Sequence, residues 1–334
     1  MLRRLLPAPA VFGSIAAVVV LPLILPSIAM ATEVMVFIIA TLGCNLLLGY
    51  VGLLSFGQAI SFGVGAYACG LALIHLHVGV WDGLFAALIC SAIAGLVVGA
   101  LSIQKRGIYF VMLTFAFSQM FYFIAYAMAD VTGGDNGLLN VPRPPLTVFG
   151  VTLLSLATPL NMYCLAAMVF MILFVFLHRL VASPFGSALI AIRENEERAI
   201  AVGYNTRIFK IIAFVISSWV TGLAGALYAL FLNFAPLSNI DVSMSERIII
   251  MTIVGGTNSL FGSVLGATFY VVVGNLLSAV WPRWLLVLGI ILIVVAGYLR
   301  GGLWSGVEWV WQRLRVRWPV ARAAVEERAD GGGA

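Results

Sequence analysis

The sequence predicts an all-α integral membrane protein, a polytopic bundle of about ten transmembrane helices. Composition is the first reason. Of 334 residues, 63% are hydrophobic and only 9% are charged, where soluble domains carry about 25% charged residues. Mean hydropathy is +1.11. So much nonpolar surface exceeds what one globular core can hide, and the solvent must be lipid. The second reason is the recurrence, along the whole chain, of apolar runs of about 20 residues, the length that crosses a bilayer as a helix. The third is continuity. Barrel strands would alternate polar and apolar residues, whereas these runs do not, and backbone groups in lipid must bond within their own segment. Many of the 34 glycines fall inside the runs, which suits helices that pack closely.

The expected helices are residues 10–31, 34–54, 56–77, 83–103, 107–129, 159–181, 211–232, 245–257, 261–280 and 282–300. The first has a rival reading. Arg3 and Arg4, an apolar run and Ala29-Met30-Ala31 together look like a secretory signal with its cleavage site. The run is longer than a signal core and leads directly into further spans, so it reads as a retained anchor. The eighth is short and ends in Gly255-Gly256-Thr257-Asn258, which leaves a half-helix or re-entrant segment open and the span count at eight to ten.

Orientation follows from the bias of basic residues toward cytoplasmic loops. With the N-terminus inside, all of the 18 Lys and Arg except Arg143, Arg247 and Arg283 lie on the cytoplasmic side. Both termini and the 182–210 loop are then cytoplasmic, and the 130–148 and 233–244 loops are external. Residues 1–302 form the transmembrane domain. Residues 303–334 begin with tryptophans and arginines suited to an interfacial helix and end in a tail with the composition of a disordered segment. The net charge of +5 reflects this topology and that tail, and does not imply nucleic acid.

Several chemistries are excluded. The four cysteines (Cys44, Cys69, Cys90, Cys164) fall within expected spans and lack metal-ligand spacing. No Walker A pattern occurs, so this chain does not itself bind ATP that way. No metalloprotease signature occurs either. We therefore assign no catalytic, cofactor or metal residues. No acidic residue is expected deep in a span: Glu33, Asp82, Asp130, Asp241 and Glu246 sit near boundaries. His75, His77 and His178 sit at edges. An ion-coupled carrier would need an intramembrane carboxylate or histidine relay.

Two stretches carry functional signals. In the 182–210 loop, Phe185, Ala188, Leu189 and Ile192 form an apolar stripe at helical spacing. Ser183 and Pro184 suit a helix start, and Gly203 suits a left-handed stop. Arg193, Glu194, Glu196, Glu197 and Arg198 lie between. A helix resting on lipid should favour cations; mixed signs favour docking to a soluble protein. The second stretch, residues 45–67, is rich in glycine and places Asn45 and Gln58 in hydrocarbon, either as hydrogen-bonding glue between helices or as lining of a translocation path. Ser61, Tyr67, Tyr109, Thr114, Gln119 and Glu246 join them as path candidates. A shorter echo, again a serine, Phe-Gly and spaced small residues, runs through residues 255–267 and suggests an internal repeat. Ser218/Gly222 and Thr221/Gly225 are spaced for close helix contact.

Taken in order, residues 45–67, residues 106–110 with Leu113-Thr114, the loop 132–138, the loop 185–203, residues 224–229, Ser245-Glu246 and Gly255-Gly256 resemble the LivM-type permease subunit of bacterial branched-chain (hydrophobic) amino acid ABC importers. The resemblance covers residues 40–302. It departs at Asn258, where the family's turn has a second glycine. It implies an ABC importer permease in the bacterial inner membrane. Its partners would be a LivH-like second permease subunit, two cytoplasmic ATPases and an extracytoplasmic substrate-binding protein. Phe185, Ala188, Ile192, Arg193, Glu194, Glu196, Glu197, Arg198 and Gly203 would couple to the ATPase. Gly133, Gly134, Asp135 and Asn136 would face the binding protein. The wider family also moves amides, urea and aromatic acids.

Overall fold

A computed structural model describes residues 25–148, 151–156, 158–257, 259–298 and 301–306, with a few isolated positions before residue 25. Most of the expected span 10–31 lies outside the described residues. So do Asn258, Arg300 and the expected interfacial helix and tail beyond residue 306.

The chain runs α1 (Ile28–Asn45), which continues as a π-helical stretch (Leu46–Val51), then α2 (Gln58–His75), α3 (Val80–Ser102), α4 (Ile108–Ala127) and the short α5 (Ala129–Thr132). An antiparallel hairpin of β1 (Leu146–Val148) and β2 (Val151–Leu154) follows. After it come α6 (Pro159–Val181), α7 (Pro184–Glu194), α8 (Glu196–Ala201), α9 (Thr206–Leu232), α10 (Val242–Gly255), α11 (Leu260–Val280) and α12 (Trp284–Tyr298). Among the described residues the fold is helical apart from the hairpin, which the sequence did not signal.

Among the described residues, seven helical segments are long and apolar enough to cross a membrane. The 14 residues of α10 rise about 21 Å at about 1.5 Å each, short of the roughly 30 Å hydrocarbon core. The expected eighth span is thus a half-helix. It turns at Gly256, whose φ is +114°, and packs back against α11.

The span formed by α1 and its π-helical continuation is strongly apolar apart from Glu33, and 94% of its most apolar window is buried; such a helix belongs at the centre of a bundle. Ser27 caps its start by accepting from the Met30 amide at 3.2 Å. Beside it, α9 packs most extensively against α2 and α3. The approach is close because glycines face each other. A Cβ on Gly65 would lie 2.1 Å from the Gly222 carbonyl oxygen, and one on Gly225 would lie 1.9 Å from that of Phe62. The spacing seen at Ser218/Gly222 and Thr221/Gly225 therefore sits at the α2–α9 and α3–α9 contacts. At the far end of α9, Arg143 donates to the carbonyls of Leu230 and Phe231, placing a cation where the last carbonyls of the helix are free. Cys44 and Cys69 are buried, but Cys90 and Cys164 lie on the outer surface.

Replacing Gly65 by Val should abolish the α2–α9 contact, because the obstacle is backbone that cannot rotate away. Overpacking of this kind costs about 1–3 kcal/mol or more. Gly289→Ala, where nothing lies within 4 Å of the added Cβ, should be neutral. Yield and melting temperature of the detergent-solubilised protein distinguish the two.

Candidate functional site: the loop helices and the polar seams

The loop between α6 and α9 forms two helices rather than the single one expected through Gly203. Asn195 breaks it: its backbone is extended (φ −157°, ψ 99°) and its side chain accepts from the Arg198 amide at 2.9 Å, capping α8. Gly203 follows α8 with φ +99°, the left-handed stop that its position suggested. Pro184 opens α7 as expected, but Ser183 does not cap it; its hydroxyl donates back to the Leu180 carbonyl at 2.6 Å.

The apolar stripe points inward. Ala188, Leu189 and Ile192 are buried, and Phe185 stacks on Phe209 of α9 with ring centroids 5.5 Å apart. Within this chain, Phe185, Ala188 and Ile192, expected to couple to a partner, seat the loop on the bundle. The outward surface carries Glu194, Glu197 and Arg198. With them stand three residues that pattern reading passed over, Ile200, Val202 and Tyr204, exposed by 47%, 74% and 44%.

Two contacts tie the loop to the bundle. Arg193 donates to the Gly49 carbonyl in the π-helical end of α1, and its side chain lies across Gly52. Glu196, expected to contact a partner, is engaged within the chain. It accepts from Lys210 Nζ at 2.6 Å and from Thr206 Oγ1 at 3.1 Å, both on α9. Arg106 Nε, in the α3–α4 turn, lies 3.6 Å away. Burial pushes the Glu196 carboxyl upward. The hydrogen bond and charge of Lys210, the Thr206 hydroxyl and the charge of Arg106 outweigh it and hold the group below its ordinary value.

The path candidates separate into two kinds. Asn45 and Gln58 are buried, and both are bonded between helices. Asn45 Nδ2 donates to the Ser259 carbonyl and to Ser263 Oγ, each at 2.9 Å. Gln58 donates to Ser217 Oγ at 3.1 Å and accepts from Thr221 Oγ1 at 2.8 Å. Thr114 accepts from the Phe56 amide at 3.2 Å, and Ser61 bonds its own helix at Gly57. Asn45, Gln58 and Thr114 thus join separate segments, while Ser61 bonds only within its own turn. Tyr109 and Glu246 are exposed, Gln119 is half-buried, and the buried Tyr67 hydroxyl has no hydrogen-bond partner.

Ser245 was missed as a structural residue. It accepts from the Ala59 amide at 2.7 Å and donates to the Phe56 carbonyl, pinning the start of α2 to α10. At the end of the bundle away from α7 and α8, Gly133 and Gly134 adopt positive φ and Gly134 is buried, while Asp135 and Asn136 are exposed. Glu33, expected near a span boundary, stands inside the helix rather than before it. It lies in the second turn of α1.

The depressed Glu196 value gives a definite sign. Its stabilising contribution is fully present above the ordinary value of 4.5 and is lost as pH falls through the lower folded value. Glu196→Gln should destabilise the loop by about 1 kcal/mol at neutral pH, a low figure because the site is partly solvated. The variant should also lose less stability than the wild type on acidification below pH 4.5. Thermal melts and limited proteolysis of the loop across that range check both.

Residues 27–296 match the family described as branched-chain amino acid transport system / permease component. The high-affinity branched-chain amino acid transport system permease protein LivM of Salmonella typhimurium is 28% identical over 295 residues, covering 83% of this chain and 69% of that protein. Its Escherichia coli counterpart is 27% identical over 297 residues, with the same coverage. The probable LivM of Methanocaldococcus jannaschii is 26% identical over 319 residues, covering 80% of this chain and 90% of that protein. No solved structure matches. A family match over most of a chain built from membrane-crossing helices settles its class: this multi-pass membrane protein belongs to the family of branched-chain amino acid transport system permease components.

Proposed function

We propose that this chain is the membrane-embedded subunit of an ATP-driven importer for branched-chain and related hydrophobic amino acids. It forms the translocation path together with a second, LivH-like permease subunit in a bacterial inner membrane. Hydrolysis of ATP belongs to two separate cytoplasmic subunits. An extracytoplasmic binding protein delivers the cargo to the face bearing Asp135 and Asn136. The basic end of the bundle, with both termini, lies in the cytoplasm.

The observation that carries this reading is the α7–α8 pair. It is a short helical unit outside the apolar bundle that presents Glu197, Arg198, Ile200, Val202 and Tyr204 to the outside. Exposed apolar side chains rimmed by both charge signs are the composition of a docking surface. The same unit is cross-linked inward. A push on α8 reaches α9 through Glu196 and Lys210, and a push on α7 reaches the end of α1 through Arg193 and Gly49. Nucleotide-driven closure of the ATPases would then rock the helices that line the path.

In the reconstituted complex, leucine uptake should require ATP and survive an ionophore. Val202→Asp and Glu197→Arg should each weaken ATPase co-purification by about tenfold or more, as for a central interface residue, with membrane insertion unchanged. Undiminished co-purification removes the coupling role of α8. Uptake that collapses with the ionophore but survives ATP depletion removes the importer reading.

A further inference from the structure

Glu33 of α1 and Arg247 of α10 line one cavity of about 200 Å³, at the end of the bundle away from α7 and α8. Each sits in the second turn of its helix. Ionisable side chains within membrane helices are costly, and they mark substrate or ion pathways. The obvious structural use, a direct ion pair, is not made. Among the described residues, the N···O contacts within 4.0 Å between opposite charges both involve Glu196. Arg247 is exposed and Glu33 is half-buried, with the Asn275 amide beside its carboxylate.

One turn deeper the lining changes character. Phe37 lies below Glu33 and Met251 below Arg247, and Tyr270 and Val271 complete a buried floor. Opposite charges held apart at the mouth over an apolar floor are the complement of a zwitterion with an apolar tail. A guanidinium fork suits an α-carboxylate, and Glu33 with Asn275 suits an α-ammonium. The side chain would lie on Phe37 and Met251. The volume equals roughly six or seven waters at about 30 Å³ each, the scale of one small amino acid. A simple acid or a simple amine would leave one of the two charges facing it without a partner, which is expensive out of bulk water.

We propose that this cavity is an amino-acid subsite. Arg247 takes the carboxylate, Glu33 takes the ammonium, and Phe37 and Met251 take an apolar side chain. The proposal rests on the importer reading, since the ligand is the cargo.

Ser278 lines the same cavity and is exposed, so Ser278→Cys reports occupancy by its rate of thiol labelling. The assay uses the reconstituted complex with Cys90 and Cys164 replaced by Ser. L-leucine should slow labelling severalfold. 4-Methylpentanoate, which lacks the ammonium, and isopentylamine, which lacks the carboxylate, should not at equal concentration. Adding Glu33→Gln or Arg247→Gln should remove the protection and raise the half-saturating leucine concentration for uptake about tenfold or more. Labelling indifferent to leucine, or slowed equally by all three compounds, overturns the subsite, and that measurement needs neither charge variant to fold. If wild-type uptake of leucine is ATP-dependent while labelling is indifferent, the subsite fails and the importer reading stands. If no amino acid is taken up with ATP, the importer reading fails and takes the subsite with it.

Discussion

A helix that breaks inside a membrane leaves amides and carbonyls with no water to bond, and the architecture depends on how this chain satisfies them. The break before α2 is closed from two directions. Ser245 of α10 holds both the Phe56 carbonyl and the Ala59 amide, and Thr114 of α4 accepts the Phe56 amide. The start of α11 is held from α1. Asn45 reaches the Ser259 carbonyl and the Ser263 hydroxyl, while Thr41 and Ser263 exchange bonds to each other's carbonyls. The two glycine-rich stretches that echo each other in sequence thus meet in space. A Cβ on Gly49 would lie 1.8 Å from the Thr257 carbonyl oxygen.

These seams fix the half-helix α10, and α10 carries Arg247 to the cavity. The same polar chemistry works at the other end in a different medium. There Glu196 gathers Lys210, Thr206 and Arg106 onto one carboxylate, joining α8, α9 and the α3–α4 turn. One carboxylate shared among several partners makes a stiff joint. The outer surface of α8 is exposed, whereas the loop's inner side is bonded to the bundle.

Membership in a permease family and the two ends of the bundle fit one mechanical picture. Force would enter through an anchored loop, pass along α9 and the π-helical end of α1, and act on helices that pack through glycine. Such contacts, with little side chain between backbones, let helices shift as bodies with small changes in packing. A cavity between α1, α10, α11 and α12, with charges above and an apolar floor below, sits where such a shift would open or close it.

Much of this was legible in the order of residues. Continuous apolar runs specify membrane helices, because the bilayer imposes both their length and their internal bonding. Gly222 and Gly225 announced a close contact, and Pro184 and Gly203 bounded the loop helices, because these are local steric and backbone properties. Asn45 and Gln58 read in sequence as either glue or path, and the partners that bond them, Ser259, Ser263, Ser217 and Thr221, lie more than 150 positions away. Helical periodicity marked the stripe of Ala188 and Ile192 but not which neighbour it faced; the bundle, an apolar surface already at hand, took it. The sequence placed Glu33 near a span boundary, and it lies in the second turn of α1. Only the tertiary structure put Arg247 across a cavity from it. Local chemistry fixes helices and caps, whereas pairings between distant segments depend on packing that no single stretch encodes.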